Sequence, residues 1–223
     1  SAIAPDVKII PLKVLDASGN GSIQNVIDAI RYAADMGARV INLSLGADMS
    51  TLSQDAIDQL HQAIIYAGNK GAVVVVAAGN AGDDVSKYYP ASFNEVLAVG
   101  SVTSLNQRAY FSNYGNQLDL VAPGTDILAL RATGTSLGTP ISGQYTQLSG
   151  TSISASMVSG IVALMLAQNP YQSIDDIRRR LSYSSEDLGA QGFDPYFGYG
   201  EVNAFAALSY DYYSTGALKT YWL

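Results

Sequence analysis

The chain contains no cysteine and only one histidine, His61, in 223 residues. Without thiols there is no disulfide framework, thiolate zinc site or cysteine nucleophile, and one imidazole cannot build a two-histidine metal centre. Charge is sparse and of one prevailing sign: 12 basic against 19 acidic residues give a net charge of −7. The tightest basic cluster, Arg178-Arg179-Arg180, follows Asp175 and Asp176 and reads as the charged face of a helix. A binder of nucleic acid or anionic membrane surfaces needs the opposite balance, so neither is an expected partner. Long hydrophobic runs are missing as well. The run near a helix signal, Ile161 to Ala167, falls short of the ~18 or more residues a membrane span requires.

What is present is a turn-rich α/β pattern. Val7 to Leu15 (VKIIPLKVL) is aliphatic and β-branched, predicts a strand, and is closed by the turn cluster Asp16 to Gly21. Ile23, Val26, Ile27, Ile30, Ala33 and Ala34 fall on one face at 3.6 residues per turn, which predicts a helix ended by Gly37. Val40 to Leu45 predicts a strand, and Leu52, Ala56, Ile57, Leu60, Ala63, Ile64 and Ala67 form the stripe of a second helix. Ala72 to Ala78 is a short, wholly apolar run, as expected of a strand buried on both faces. Further strands are expected at Leu97 to Val102 and Leu118 to Val121, with a long surface loop from Arg131 to Gln144. A helix from Ser152 to Gln168 is apolar nearly all round, a second starts at a Ser173 cap, and a short last helix lies near Asn203 to Leu208. Strands alternating with helices predict a parallel sheet with helices on both faces. No repeat or linker divides the chain, so residues 1–210 read as one domain with a tail at 211–223. The chain opens on Ser1 and runs straight into an apparent strand, so its N-terminus reads as a cut.

Ligands in open α/β sheets lie beyond the carboxyl ends of the strands. Gly19-Asn20-Gly21, Ser44-Leu45-Gly46 and Gly79-Asn80-Ala81-Gly82 all follow strands. A dinucleotide loop is disfavoured, because Gln24 stands where a third glycine is needed and no acidic residue closes the second strand. Ser149-Gly150-Thr151-Ser152 leads into the apolar helix, where free N–H groups and the helix dipole favour a developing anion. A serine there is equally a preferred cap.

Eight segments in order resemble the subtilisin-like serine proteases, the subtilase family: APDVKIIPLKV from Ala4, VINLSLG from Val40, AAGNAG from Ala77, Tyr89-Pro90-Ala91, FSNYG from Phe111, Ala122-Pro123-Gly124, SGTSISASMVSG from Ser149, and GYGEVNA from Gly198. The resemblance implies a subtilisin-like fold, incomplete at the N-terminus, and a serine endopeptidase acting on protein or peptide substrates. Ser152 would be the nucleophile, and Asn80 would donate its side-chain amide to the oxyanion together with the N–H of Ser152. Gly19, Asn20, Gly21, Ser44, Leu45 and Gly46 would line the substrate cleft, and Ala77, Ala78 and Gly79 would wall the pocket for the residue before the cut bond, with Tyr88 narrowing its floor. The chemistry requires no cofactor. The resemblance does imply a candidate structural Ca²⁺ site, formed by the carbonyls of Ala91, Phe93 and Val96 with Asp119, and an extracellular location.

Two departures stand against these agreements. The family's order is Asp, His, Ser, and the motifs carrying the first two are absent from this chain, so a missing N-terminal segment of the same domain is an expected partner. Ser156 also replaces the Pro usual in the serine motif, a change expected to be tolerated early in a helix. His61 lies on the polar margin of a covering helix and reads as a surface residue, so the chain alone is expected to be inactive. The alternatives are a pseudoprotease that binds peptides without cutting them and, on fold class alone, a nucleotide-binding domain.

Overall fold

The computed structural model describes residues 3–131 and 138–209. Its centre is a four-stranded parallel sheet made of β1 (Val40–Leu43), β3 (Val73–Ala77), β5 (Leu97–Val102) and β6 (Leu120–Pro123), in that spatial order. β3 shows why the sheet needs cover on both sides. Its residues alternate between two cores, with Val74 and Val76 on one face and Val73, Val75 and Ala77 on the other, all nearly inaccessible to water.

α1 (Ile23–Asp35) and α2 (Gln54–Asn69) cover the first face through their apolar stripes, each started by a serine whose hydroxyl accepts an N–H in the first turn: Ser22 from Asn25 and Ser53 from Ala56. α3 (Thr151–Gln168), α4 (Ile174–Ser184) and α5 (Ala204–Ser209) lie on the second face. α4 begins with a reciprocal capping box between Ser173 and Asp176. α3 is apolar and long enough to cross a membrane, with mean hydropathy 1.5 over 18 residues, but half of it is buried within the protein. The sheet it covers, through Ala155, Val158, Val162 and Met165, accounts for that composition.

Two expectations need correction, and one further element was not expected. Val7 to Leu15 forms no strand: a strand is a pairing, and none of the described strands lies beside this segment, whose Val7, Ile9, Ile10 and Leu12 are exposed. Among the described residues, β1 accordingly keeps an unpaired outer edge. The expected loop from Arg131 to Gln144 contains β8 (Thr139–Ser142), which with β7 (Ile127–Leu130) and β9 (Tyr145–Leu148) makes a small antiparallel sheet in the order β7-β9-β8. Lastly, a two-residue ribbon joins β2 (Ala47–Asp48) to β4 (Tyr88–Tyr89), too short to leave a period in the sequence. The tail at 211–223 lies outside the described residues.

Candidate active site

The carboxyl ends of β1 and β3 bring two expected loops to the N-terminus of α3. The helix starts at Gly150, whose φ of +149° suits glycine and whose missing side chain leaves the helix without a cap of its own. Ser152 is therefore not the cap. Asn80 takes that role from across the sheet: its Oδ1 accepts the N–H of Thr151 at 2.9 Å and the Thr151 hydroxyl at 3.0 Å. A donor N–H must face an acceptor, so these bonds fix the amide with its oxygen toward Thr151 and its Nδ2 turned away. Nδ2 has no acceptor among the described residues and lies close to the start of the helix, where a Cβ on Gly150 would stand 3.5 Å from it. The Ser152 N–H likewise has no acceptor among the described residues. Two unpaired donors thus lie at the positive end of the 18-residue helix that carries the serine.

Ser152 itself is half-buried and faces β1. Its Oγ donates to the Ser44 carbonyl at 3.3 Å, and the Ser44 hydroxyl donates back to the Ser152 carbonyl at 2.9 Å. Ser44-Leu45-Gly46 is thereby tied to the serine, and Gly46 leaves room for the backbone of β4, since a Cβ there would lie 3.2 Å from the Tyr89 carbonyl. Ala77 and Ala78 are buried at the end of β3, and the Gly79 N–H donates to the Thr151 hydroxyl at 3.2 Å. Tyr88 sits in β4 opposite Asp48. Burial raises its hydroxyl pKa above the ordinary value, and the carboxylates of Asp83 and Asp48 push the same way. Gly19-Asn20-Gly21 forms an exposed turn before α1, closed by its own bonds: the Asp16 carboxylate accepts the N–H of Ser18 at 2.8 Å and of Asn20 at 2.9 Å. Ser156 falls in the second turn of α3, not the first, and its hydroxyl donates to the Ser152 carbonyl at 2.9 Å.

His61 lies on α2, which covers the face of the sheet opposite α3. Its ring stacks on Phe93 at 4.4 Å and its Nε2 meets Glu95 at 2.9 Å, so it takes no part in the serine site.

The four residues expected to hold Ca²⁺ do not form an open oxygen cage, because a guanidinium already engages two of them. Arg178 places Nε 3.1 Å from the Asp119 carboxylate, and its Nη2 donates to the carbonyls of Val96 and Asn94. Asp119 also accepts the Ala98 N–H at 2.7 Å. These residues do not fit a cation, and no cluster of three acidic or histidine ligands occurs among the described residues. Burial outweighs the attraction of Arg178 and pushes the Asp119 pKa up from 3.8 to about 6. A raised carboxyl pKa contributes stability fully present below pH ~4, and this is lost as pH rises through about 6. Relative to Asp119→Asn, the parent protein should therefore lose on the order of 2–3 kcal/mol across that window, read from urea unfolding midpoints. A difference that is flat with pH would contradict the assignment.

Sequence reasoning missed Thr151, which orients Asn80, and Asn113, which closes the loop beneath it. Both lie inside quoted motifs, SGTSISASMVSG and FSNYG, in which neither was given a role, and their role depends on contacts 71 and 30 to 35 positions away in the chain.

The chain is similar in sequence and in fold to known proteins. A model of the "Subtilase family" matches residues 1–200. The chain is 39% identical over 210 residues to the thermophilic serine proteinase of Bacillus sp. (strain AK1), and 38% identical over 207 residues to thermitase of Thermoactinomyces vulgaris. These matches cover 94% and 93% of this chain, which spans 47% and 67% of the length of those relatives. The crystal structure of a lanthipeptide protease superposes with a TM-score of 0.84 at 30% identity, covering 92% of this chain and 71% of that one. Belonging by sequence and by fold to the same group, the chain is a member of the subtilase family.

Proposed function

We propose that this chain supplies the nucleophile and the oxyanion-stabilising half of a serine endopeptidase. The carrying observation is the pair of unpaired donors at the start of α3, the Ser152 N–H and Asn80 Nδ2, the latter oriented by the bond from Thr151 N–H to Asn80 Oδ1. In the reaction, Ser152 Oγ attacks the carbonyl carbon of a peptide bond. Its proton passes to a base, the carbonyl oxygen becomes an oxyanion, and the two donors meet the charge where it develops. Collapse expels the amine, which takes that proton from the base, and leaves an acyl group on Ser152; water, deprotonated by the same base, then attacks the ester, releasing the acid and returning the proton to Ser152 Oγ.

The base and its orienting carboxylate come, in this proposal, from a segment outside the chain. Its seat is supported by the unpaired edge of β1 and by the exposed apolar residues of the stretch from Val7 to Leu12. Ser44-Leu45-Gly46 and Gly19-Asn20-Gly21 would hold an extended peptide between them, with Ala77, Ala78, Gly79 and Tyr88 around the residue before the cut bond. An extracellular setting, as in the resemblance, belongs to the same proposal.

The test is cleavage of a denatured protein by the enzyme completed with that segment. Hydrolysis should occur and Ser152→Ala should abolish it. Tight peptide binding without hydrolysis would instead favour the pseudoprotease.

A further inference from the structure

The loop that carries Asn80 has no regular structure between β3 and the 3-10 turn Val85–Lys87, and Asn80 itself is exposed. A donor in such a loop keeps its place only if the backbone beneath it is held. Thr151 fixes the amide group, but that leaves the backbone to be explained.

Asn113 holds it. Its side chain is fully buried, and its groups reach round the loop from one point. Nδ2 donates to the Ala78 carbonyl at 2.9 Å, Oδ1 accepts the N–H groups of Ala81 at 3.0 Å and Asp83 at 3.1 Å, and the Asn113 N–H donates to the Gly79 carbonyl at 3.0 Å. The residues on both sides of Asn80 are therefore bonded to a single amide. Gly79 makes this packing available: its φ is +107°, and a Cβ there would lie 2.2 Å from Asn113 Nδ2. The amide occupies the space a side chain at position 79 would need. Asn113 is itself anchored to β5, because the Ser101 N–H donates to the Ser112 hydroxyl at 2.9 Å and that hydroxyl donates to the Asn113 carbonyl at 3.1 Å.

On the reading that Ser152 and Asn80 form the reacting site, we infer that Asn113 is a positioning residue that sets the place of the Asn80 donor relative to Ser152. It touches neither the nucleophile nor Asn80's own amide, so it acts through the loop. Misplacement of a catalytic group by about 1 Å costs ~100-fold in rate, which bounds the effect.

A double-mutant cycle in the completed enzyme tests this. Asn113→Ala should lower kcat by ~10- to 100-fold while KM stays within about twofold, and in an Asn80→Ala background the same change should cost less than about threefold. A loss as large in that background as in the parent means the two act independently and overturns the inference. So does a rise in KM with kcat unchanged. If Asn113→Ala fails to fold, Asn113→Asp, which keeps the acceptor for Ala81 and Asp83, enters the cycle with the same non-additivity expected and the same additive result counting against it. Asn80→Ala with undiminished kcat would show that the underlying site reading has failed. An impaired Asn80→Ala with an additive Asn113 variant would sink the positioning role alone.

Discussion

The isolated chain should hydrolyse peptide bonds about 10⁶-fold more slowly than the enzyme completed by its base-bearing segment, a figure set by the loss in subtilisin, a relative in the same family, when its histidine alone is removed. The physical reason lies in the serine's surroundings. Ser152 Oγ donates to the Ser44 carbonyl, a group that holds the hydroxyl but cannot take its proton. The only imidazole, His61, is on the helix layer across the sheet and engaged with Glu95 and Phe93. A hydroxyl with no base is a weak nucleophile however well the oxyanion is served. Steady-state cleavage of a chromogenic peptide, with Ser152→Ala as the background, measures the difference. Comparable rates for the isolated chain and the completed enzyme would contradict it.

Asn80→Ala is expected to lower kcat in the completed enzyme by ~100- to 1000-fold with little change in KM, the known cost of losing the equivalent donor in subtilisin. An oxyanion exists only as the tetrahedral intermediate forms, so a donor aimed at it strengthens binding of the transition state and not of the substrate. In this chain the same residue has a second duty, because its Oδ1 accepts the N–H of Thr151 at the start of α3. Asn80→Asp would preserve that acceptor while replacing the donor with a repelling oxygen. It should therefore lose at least as much kcat as Asn80→Ala while retaining more of the stability, a split visible by pairing kinetics with thermal unfolding. Equal kcat in parent and Asn80→Ala would remove Asn80 from the site.

The sequence disclosed the parts of the fold that leave a period. The unbroken apolar run of β3 and the stripes of α1 and α2 follow directly from burial on two faces or on one. Val7 to Leu15 reads as a strand because its residues suit one, but composition cannot reveal whether a neighbour is present, and the segment is exposed. The β7-β9-β8 sheet escaped notice because its strands are only four residues long and β8 is wholly exposed, with no buried side to mark it.

The site divides in the same way. Ser152, Asn80, Ser44 and Gly79 were legible as motif residues, and the fold does bring their loops together at the start of α3. Their supports were not legible, since Thr151 and Asn113 work through contacts distant in sequence. The cation site at Asp119 failed for a related reason: oxygen donors can be read from a motif, but the Arg178 guanidinium arriving from α4 cannot.

The most direct test of the account is covalent labelling by a peptidyl fluorophosphonate, with the modified residue mapped by mass spectrometry. Stoichiometric labelling is expected at Ser152 in the completed enzyme, with negligible labelling of the isolated chain over the same time. Rapid labelling of the isolated chain, or labelling of the completed enzyme at any residue other than Ser152, would contradict it.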